Sequence, residues 1–177
     1  MACEGPMDFS EPELQSPRQQ QIVETAFRLL ADEGPDALTM RRLAAELGIK
    51  APSLYKHFPD KQALEAALID RGFLIWGNAA RDAIERSGDP LANLANAYRS
   101  MAVEGPHLYR LMTGGRLDRT RLTPGIENWS AEPLGAPFSH PETARAFWGF
   151  LHGMTILEID GRFPPGADLD GSWQQGV

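Results

Sequence analysis

A single cysteine, Cys3, stands in the whole chain, so no disulfide can close within it. Folds that depend on cross-links are excluded, the thiol reads as an inert tail residue, and a reducing cytoplasm suits the composition. Long apolar runs are missing too: nothing approaches the roughly 18 residues that a membrane span needs. Residues 1–16 lack a basic start followed by an apolar stretch, which argues against a secretory leader. Basic charge is not in surplus. Lys and Arg total 17 against 24 acids, a net charge of −7, which at first argues against a nucleic-acid partner. Phosphate-binding glycine loops, a Gly-x-Ser-x-Gly elbow and two-histidine zinc spacing are also absent, and His57, His107, His140 and His152 do not cluster. No enzyme class, cofactor or metal is indicated.

What is present is an ordinary globular chain of 177 residues, 42% hydrophobic and 23% charged, enough for one large domain or two small ones. Its charge is unevenly spread. Residues 1–16 hold four acids and no base; residues 17–72 hold eight acids and eight Lys or Arg; the remainder holds twelve acids and nine arginines. The middle block is therefore neutral, and a neutral block binds a polyanion if its bases share one face, because affinity follows local phosphate contacts.

Residues 1–15 are polar, contain Pro6 and Pro12, and read as a disordered tail. Ser16-Pro17 starts a helix, with Ser as cap and Pro in the first turn. Ile22, Val23, Ala26, Phe27 and Leu30 then recur at helical spacing until Gly34-Pro35. Thr39 caps a second helix with Leu43, Ala44 and Leu47 on its apolar side and Arg41, Arg42 and Glu46 on its polar side. Gly48 follows at once and can turn the chain through a left-handed conformation. A third helix runs from Ala51-Pro52-Ser53 to about His57, with Leu54 and Phe58 facing inward. Asp60 then caps a long fourth helix whose buried stripe holds Leu64, Ala67, Leu68 and Ile75.

Two short helices joined by a tight glycine turn and braced by a first make a tri-helical helix-turn-helix over residues 16–62. In such a unit the later helix of the pair enters the major groove of DNA. Its exposed side would carry Lys50, Ser53, Tyr55, Lys56 and His57, while Thr39, Arg41 and Lys61 sit at helix N-termini, where backbone N–H groups favour phosphate.

The stretch from Leu38 to Leu64, LTMRRLAAELGIKAPSLYKHFPDKQAL, resembles the TetR family of regulators nearly without gaps. The resemblance implies that Thr39 and Arg41 hold the DNA backbone and that Ala51, Pro52 and Ser53 form the tip of the recognition helix. It implies further that Tyr55 and His57 touch phosphate or sugar, that Lys61 clamps a phosphate, and that Leu54 and Phe58 are core. Ala51 offers a base only apolar contact, such as with a thymine methyl, which leaves Lys50, Ser53 and DNA shape to carry more of the specificity.

Residues 63–177 read as a helical regulatory and dimerisation domain, making an all-α protein of about nine helices. Gly88-Asp89-Pro90 introduces a fifth helix, Leu91 to about Val103. Gly105-Pro106 opens a sixth, with Leu108, Leu111 and Met112, closed by Gly114-Gly115. Residues 116–138 stay open: Thr123-Pro124 can start a helix through Trp129 to about Leu134, shortened by Pro133 and Pro137. Arg116, Arg119 and Arg121 read as a solvated run rather than a second DNA patch. Ser139 with Glu142 has the spacing of a capping box. The helix that follows is apolar all round, with Phe147, Trp148, Phe150, Leu151, Met154, Ile156, Leu157 and Ile159, and so needs cover on every side. A second copy of the chain can supply it, and Gly149 and Gly153 would let another helix come close.

Residues Trp148 to Pro164, WGFLHGMTILEIDGRFP, are similar to a TetR subgroup marked by Trp, His-Gly and Leu-Glu, with a last helix around Asp168 to Trp173. This resemblance implies a homodimer through the last two helices, with Trp148, His152, Ile156, Leu157, Ile159 and Trp173 at the interface; His152 reads as a structural donor, not a catalyst. It also implies a pocket for a small hydrophobic or aromatic effector, for which Trp76, Tyr98, Met101, Tyr109, Met112, Trp129, Phe147 and Leu151 are candidate walls. The partner would be double-stranded DNA carrying a palindromic operator. The alternative is a small-molecule binding or scaffold protein of the same fold without operator binding, which the acidic balance and Ala51 leave open.

Overall fold

Side chains placed one turn ahead of their targets start most of the helices. The computed structural model describes Phe9 and residues 16–177; the expected tail over 1–15, with Cys3, otherwise lies outside the described residues. Nine α-helices and no strand are found among them: α1 Pro17–Glu33, α2 Met40–Glu46, α3 Ala51–Tyr55, α4 Lys61–Glu85, α5 Pro90–Glu104, α6 Pro106–Thr113, α7 Ile126–Gly135, α8 Pro141–Ile159 and α9 Leu169–Gly176, with a 3₁₀ turn at Arg119–Arg121. The all-α expectation holds.

Ser16 and Gln19 form a full capping box on α1. Thr39 accepts from the Arg42 amide, Asp60 from Ala63, Asp89 from Leu91 and Asp168 from Gly171, each satisfying an amide that the first turn leaves without a helical partner. The box expected at Ser139 does not form. The cap of α8 is His140, with no side-chain bond, because Pro141 occupies the first helical position. That register puts Glu142 one place too early to reach back, and it pairs with Arg145 instead.

The open segment 116–138 contains the 3₁₀ turn and α7, and α7 includes Pro133. Pro133 has no N–H to donate to the Trp129 carbonyl four residues back. Arg81 Nη2 donates to that carbonyl at 2.7 Å, stacks over the Trp129 ring at 3.9 Å and pairs with Glu132 at 3.1 Å. The ring lies so close to α4 that a Cβ at Gly77 would sit 2.3 Å from it.

The chain divides into two compact units. One comprises the described residues up to Leu74 together with His107–Glu127; the other comprises Ile75–Pro106 and Asn128–Val177. In the first, Ile22, Ala26, Leu30, Leu43, Leu54, Phe58, Leu64 and Leu68 form one core from α1 to α4. A second cluster in that unit joins Ala66, Leu122 and Ile126, with Phe9, Ile69, Phe73 and Leu117 around it. In the other unit α5 packs on α8, and Leu94, Ala95, Tyr98, Ala102, Leu151 and Trp173 are buried. Ile75, expected on the buried stripe of α4, is 37% exposed. Trp76 and Ala80 are buried instead, following Leu68 and Gly72 at four-residue steps, with Ala83 three residues further on, and Ile75 is left on the flank.

Candidate nucleic-acid interface

The turn between α2 and α3 is built by backbone alone. Gly48 has φ 64°, a left-handed conformation that suits glycine. Its amide and that of Ile49 return to the carbonyls of Ala45 and Ala44 at 3.0 and 2.9 Å. This sends the chain sharply into α3, where Leu54 is fully buried and Phe58 nearly so. With that pair held inside, Pro52, Ser53, Tyr55 and Lys56 fall outside, and Ala51 and His57 are half-buried. Tyr55 is 47% exposed. Gln19 fixes the end of α3 from a distance: its amide nitrogen donates to the His57 carbonyl at 3.4 Å while its oxygen closes the α1 capping box.

Around this face Arg41, Lys50 and Lys56 are exposed and have no carboxylate partner among the described residues, so their charge is available to phosphate. Arg42, by contrast, is engaged by Glu33 at 3.0 Å and Glu46 at 3.6 Å, and hydrogen bonding to Glu33 raises its pKa further. Thr39 Oγ1 accepts from the Arg42 amide and keeps its own O–H to donate. Lys61 lies 3.3 Å from Glu65, one turn along α4, and its side chain is 43% exposed.

The candidate effector walls are divided between the units. Trp76, Tyr98, Met101, Trp129, Phe147 and Leu151 belong to one, Tyr109 and Met112 to the other. Trp76 meets Tyr98 edge-on at 5.1 Å, Phe147 meets Phe138 at 5.3 Å, and Leu151 is fully buried. Met112 is committed to α4, where a Cβ at Gly72 would lie 2.3 Å from its sulfur. Of the candidate interface residues, Trp148 and Leu157 are 44% and 42% exposed, and His152, Ile156 and Ile159 are half-buried. Within the described chain α8 therefore buries only Leu151 and Thr155. Trp173 is 4% exposed within the single chain, its ring edge-on to Phe150 and its Nε1 donating to Glu158.

Two family models match the sequence. Residues 22–68 match "Bacterial regulatory proteins, tetR family", and residues 91–177 match "Tetracyclin repressor-like, C-terminal domain". The uncharacterised HTH-type transcriptional regulator YobS of Bacillus subtilis is 34% identical over 164 residues, covering 85% of this chain and 84% of that one. The chain belongs to the TetR family. Another uncharacterised HTH-type transcriptional regulator, from Mycobacterium tuberculosis, is 32% identical over 159 residues, 79% of this chain and 69% of that one. A TetR variant of Acinetobacter baumannii solved in complex with minocycline aligns with a TM-score of 0.62 at 24% identity, covering 89% of this chain and 90% of that one, a likeness of fold. The TetR-family protein is thus a transcriptional regulator with an N-terminal helix-turn-helix. The C-terminal match does not name the Trp/His-Gly subgroup.

Among the described residues no group of three His, Cys, Asp or Glu could hold a metal ion, and no helix is long and apolar enough to cross a membrane. Sequence reasoning missed two residues of this TetR-family head. Gln19 was visible only as a polar residue of α1, although its spacing from Ser16 was that of a capping box. Arg121, which reaches Asp60 at the start of α4, carried no local signal.

Proposed function

We propose that this regulator is a homodimeric, ligand-responsive repressor that reads a palindromic operator with paired α3 helices. The observation that carries the reading is the split of α3: Leu54 and Phe58 are locked in the core, so Lys50, Ser53 and Tyr55 have nowhere to point but outward. Lys50, Ala51, Pro52 and Ser53 meet base edges. Thr39, Arg41, Tyr55, His57 and Lys61 hold phosphate and sugar, which gives register without sequence information. Two such helices about 34–36 Å apart would span half-sites one DNA turn apart.

The partly covered face of α8, with Trp148, His152, Ile156, Leu157 and Ile159, serves as the contact between copies. A small hydrophobic or aromatic effector bound among residues such as Trp76, Tyr98 and Leu151 favours the state that cannot span the operator, and shifts the population by its preference for that state. The role is regulatory rather than catalytic, and its setting is the cytoplasm, where the operator DNA is. A gel shift on the DNA upstream of its own coding region, repeated across salt concentrations, tests the reading. Several phosphate contacts give a steep negative slope of log affinity against log salt, whereas a flat slope would favour a binding protein that has lost DNA contact.

A further inference from the structure

We infer that Arg121, on the connection between α6 and α7, is a positioning residue for DNA binding: it neutralises Asp60 and so keeps the phosphate site at Lys61 usable. The inference rests on the proposed role of Lys61. Asp60 and Lys61 are adjacent, and the Asp60 carboxylate is fixed in place because it accepts from the Ala63 amide at 2.7 Å. An uncompensated carboxylate held there would repel the phosphate that Lys61 is to grip. Arg121 Nη1 lies 3.2 Å and 3.3 Å from the two Asp60 oxygens.

Arg121 arrives from 61 residues along the chain and is itself firmly placed. Two residues on, Thr123 donates its amide and hydroxyl to Asp70 of α4 at 3.0 and 2.8 Å. Between these polar points, Leu122 and Ile126 pack with Ala66 in the second core cluster. The segment is thereby fastened along the first half of α4. The other charges at the site are Glu65, paired with Lys61, and Asp118, 3.4 Å from Arg121. Three acids therefore face two bases, Lys61 and Arg121. Removing Arg121 leaves three acids to one.

The test uses the full-length protein and a fluorescently labelled random-sequence DNA duplex, with anisotropy titrations over a salt series. Arg121→Ala weakens binding by about fivefold or more at low salt, whereas Arg121→Lys stays within about twofold of wild type because the charge is kept. Melting temperature moves little in both, since an exposed pair contributes little to folding. Lys61→Ala and Arg121→Ala each lower the salt slope by about one, and the double variant also loses about one in total, because both changes disable one phosphate contact. Wild-type affinity in Arg121→Ala overturns the inference, as does a double variant whose slope falls by about two, the mark of an independent phosphate contact. Wild-type affinity in Lys61→Ala would instead take down the reading of the DNA face, and this inference with it.

Discussion

Trp148 Nε1 donates a hydrogen bond to Tyr98 Oη at 3.1 Å, joining α8 to α5. Tyr98 is 3% exposed and edge-on to Trp76, whereas Trp148 is 44% exposed. One end of this bond lies among the proposed effector walls and the other on the proposed dimer face. Replacing Tyr98 by Phe removes the acceptor and keeps the ring. The expected loss is that of an ordinary hydrogen bond, about 0.5–1.5 kcal/mol. Denaturant unfolding checks it. No measurable loss would show that the bond contributes nothing to folding.

Neighbouring residues of α3 should behave in opposite ways. Leu54 is fully buried, so Leu54→Ala should cost about 2–5 kcal/mol in unfolding free energy. Tyr55 is 47% exposed, and Tyr55→Ala should change stability by no more than about 0.5 kcal/mol. The same Tyr55 variant should bind every DNA sequence more weakly, since it holds backbone rather than bases. Thermal melts and anisotropy titrations on the two variants give both answers.

Leu157 is 42% exposed, so a charge there is tolerated by the protomer. Across an interface between copies it is not, because an unpaired charge would be buried twice. Leu157→Glu should therefore halve the mass seen by light scattering while the circular dichroism of the helices persists. An unchanged mass would contradict the proposed role of Leu157 in a contact between copies.

Acid should loosen the C-terminal unit through Glu158. This carboxylate accepts three hydrogen bonds from Arg99 at 2.8–3.1 Å and one from Trp173 Nε1 at 3.1 Å. Hydrogen bonding to Arg99 is the main cause that holds its pKa below the usual 4.5. A carboxylate with a depressed folded pKa stabilises the fold above its unfolded pKa, and that stability is lost as pH falls through the folded value. Unfolding free energy should thus drop as pH is lowered below 4.5, and Glu158→Gln should flatten this dependence while costing about 1.5–3 kcal/mol at neutral pH. Asp70 has the opposite sign: burial raises its pKa against the Thr123 hydrogen bonds, so its ionised form is a burden that protonation relieves. Denaturant melts at stepped pH, with Asp70→Asn as the counterpart, separate the two.

Much of the DNA-binding head was legible in the sequence because its signals are local. Thr39, Gly48 and Asp60 act within a turn of where they stand, and Leu54 and Phe58 declare their face by spacing alone. Where spacing was read without the register, it misled. Ser139 and Glu142 have the letters of a capping box, but Pro141 moves the helix start by one residue. Ile75, seven residues after Leu68, keeps the helical period, but the buried stripe advances in four-residue steps and so drifts around the helix to Trp76.

The sequence alone determined an all-helical chain, the turn at Gly48 and the outward side of α3, since each follows from backbone preference and side-chain period over a few residues. Only the tertiary structure decided that Arg81 would complete a helix interrupted by Pro133, that Trp173 would close onto Glu158, and that Arg121 would sit on Asp60. Those partners lie 48, 15 and 61 residues apart. Nothing in a local pattern marks which distant charge a guanidinium or indole will meet; that is settled when the apolar faces of the helices pack and bring their rims together.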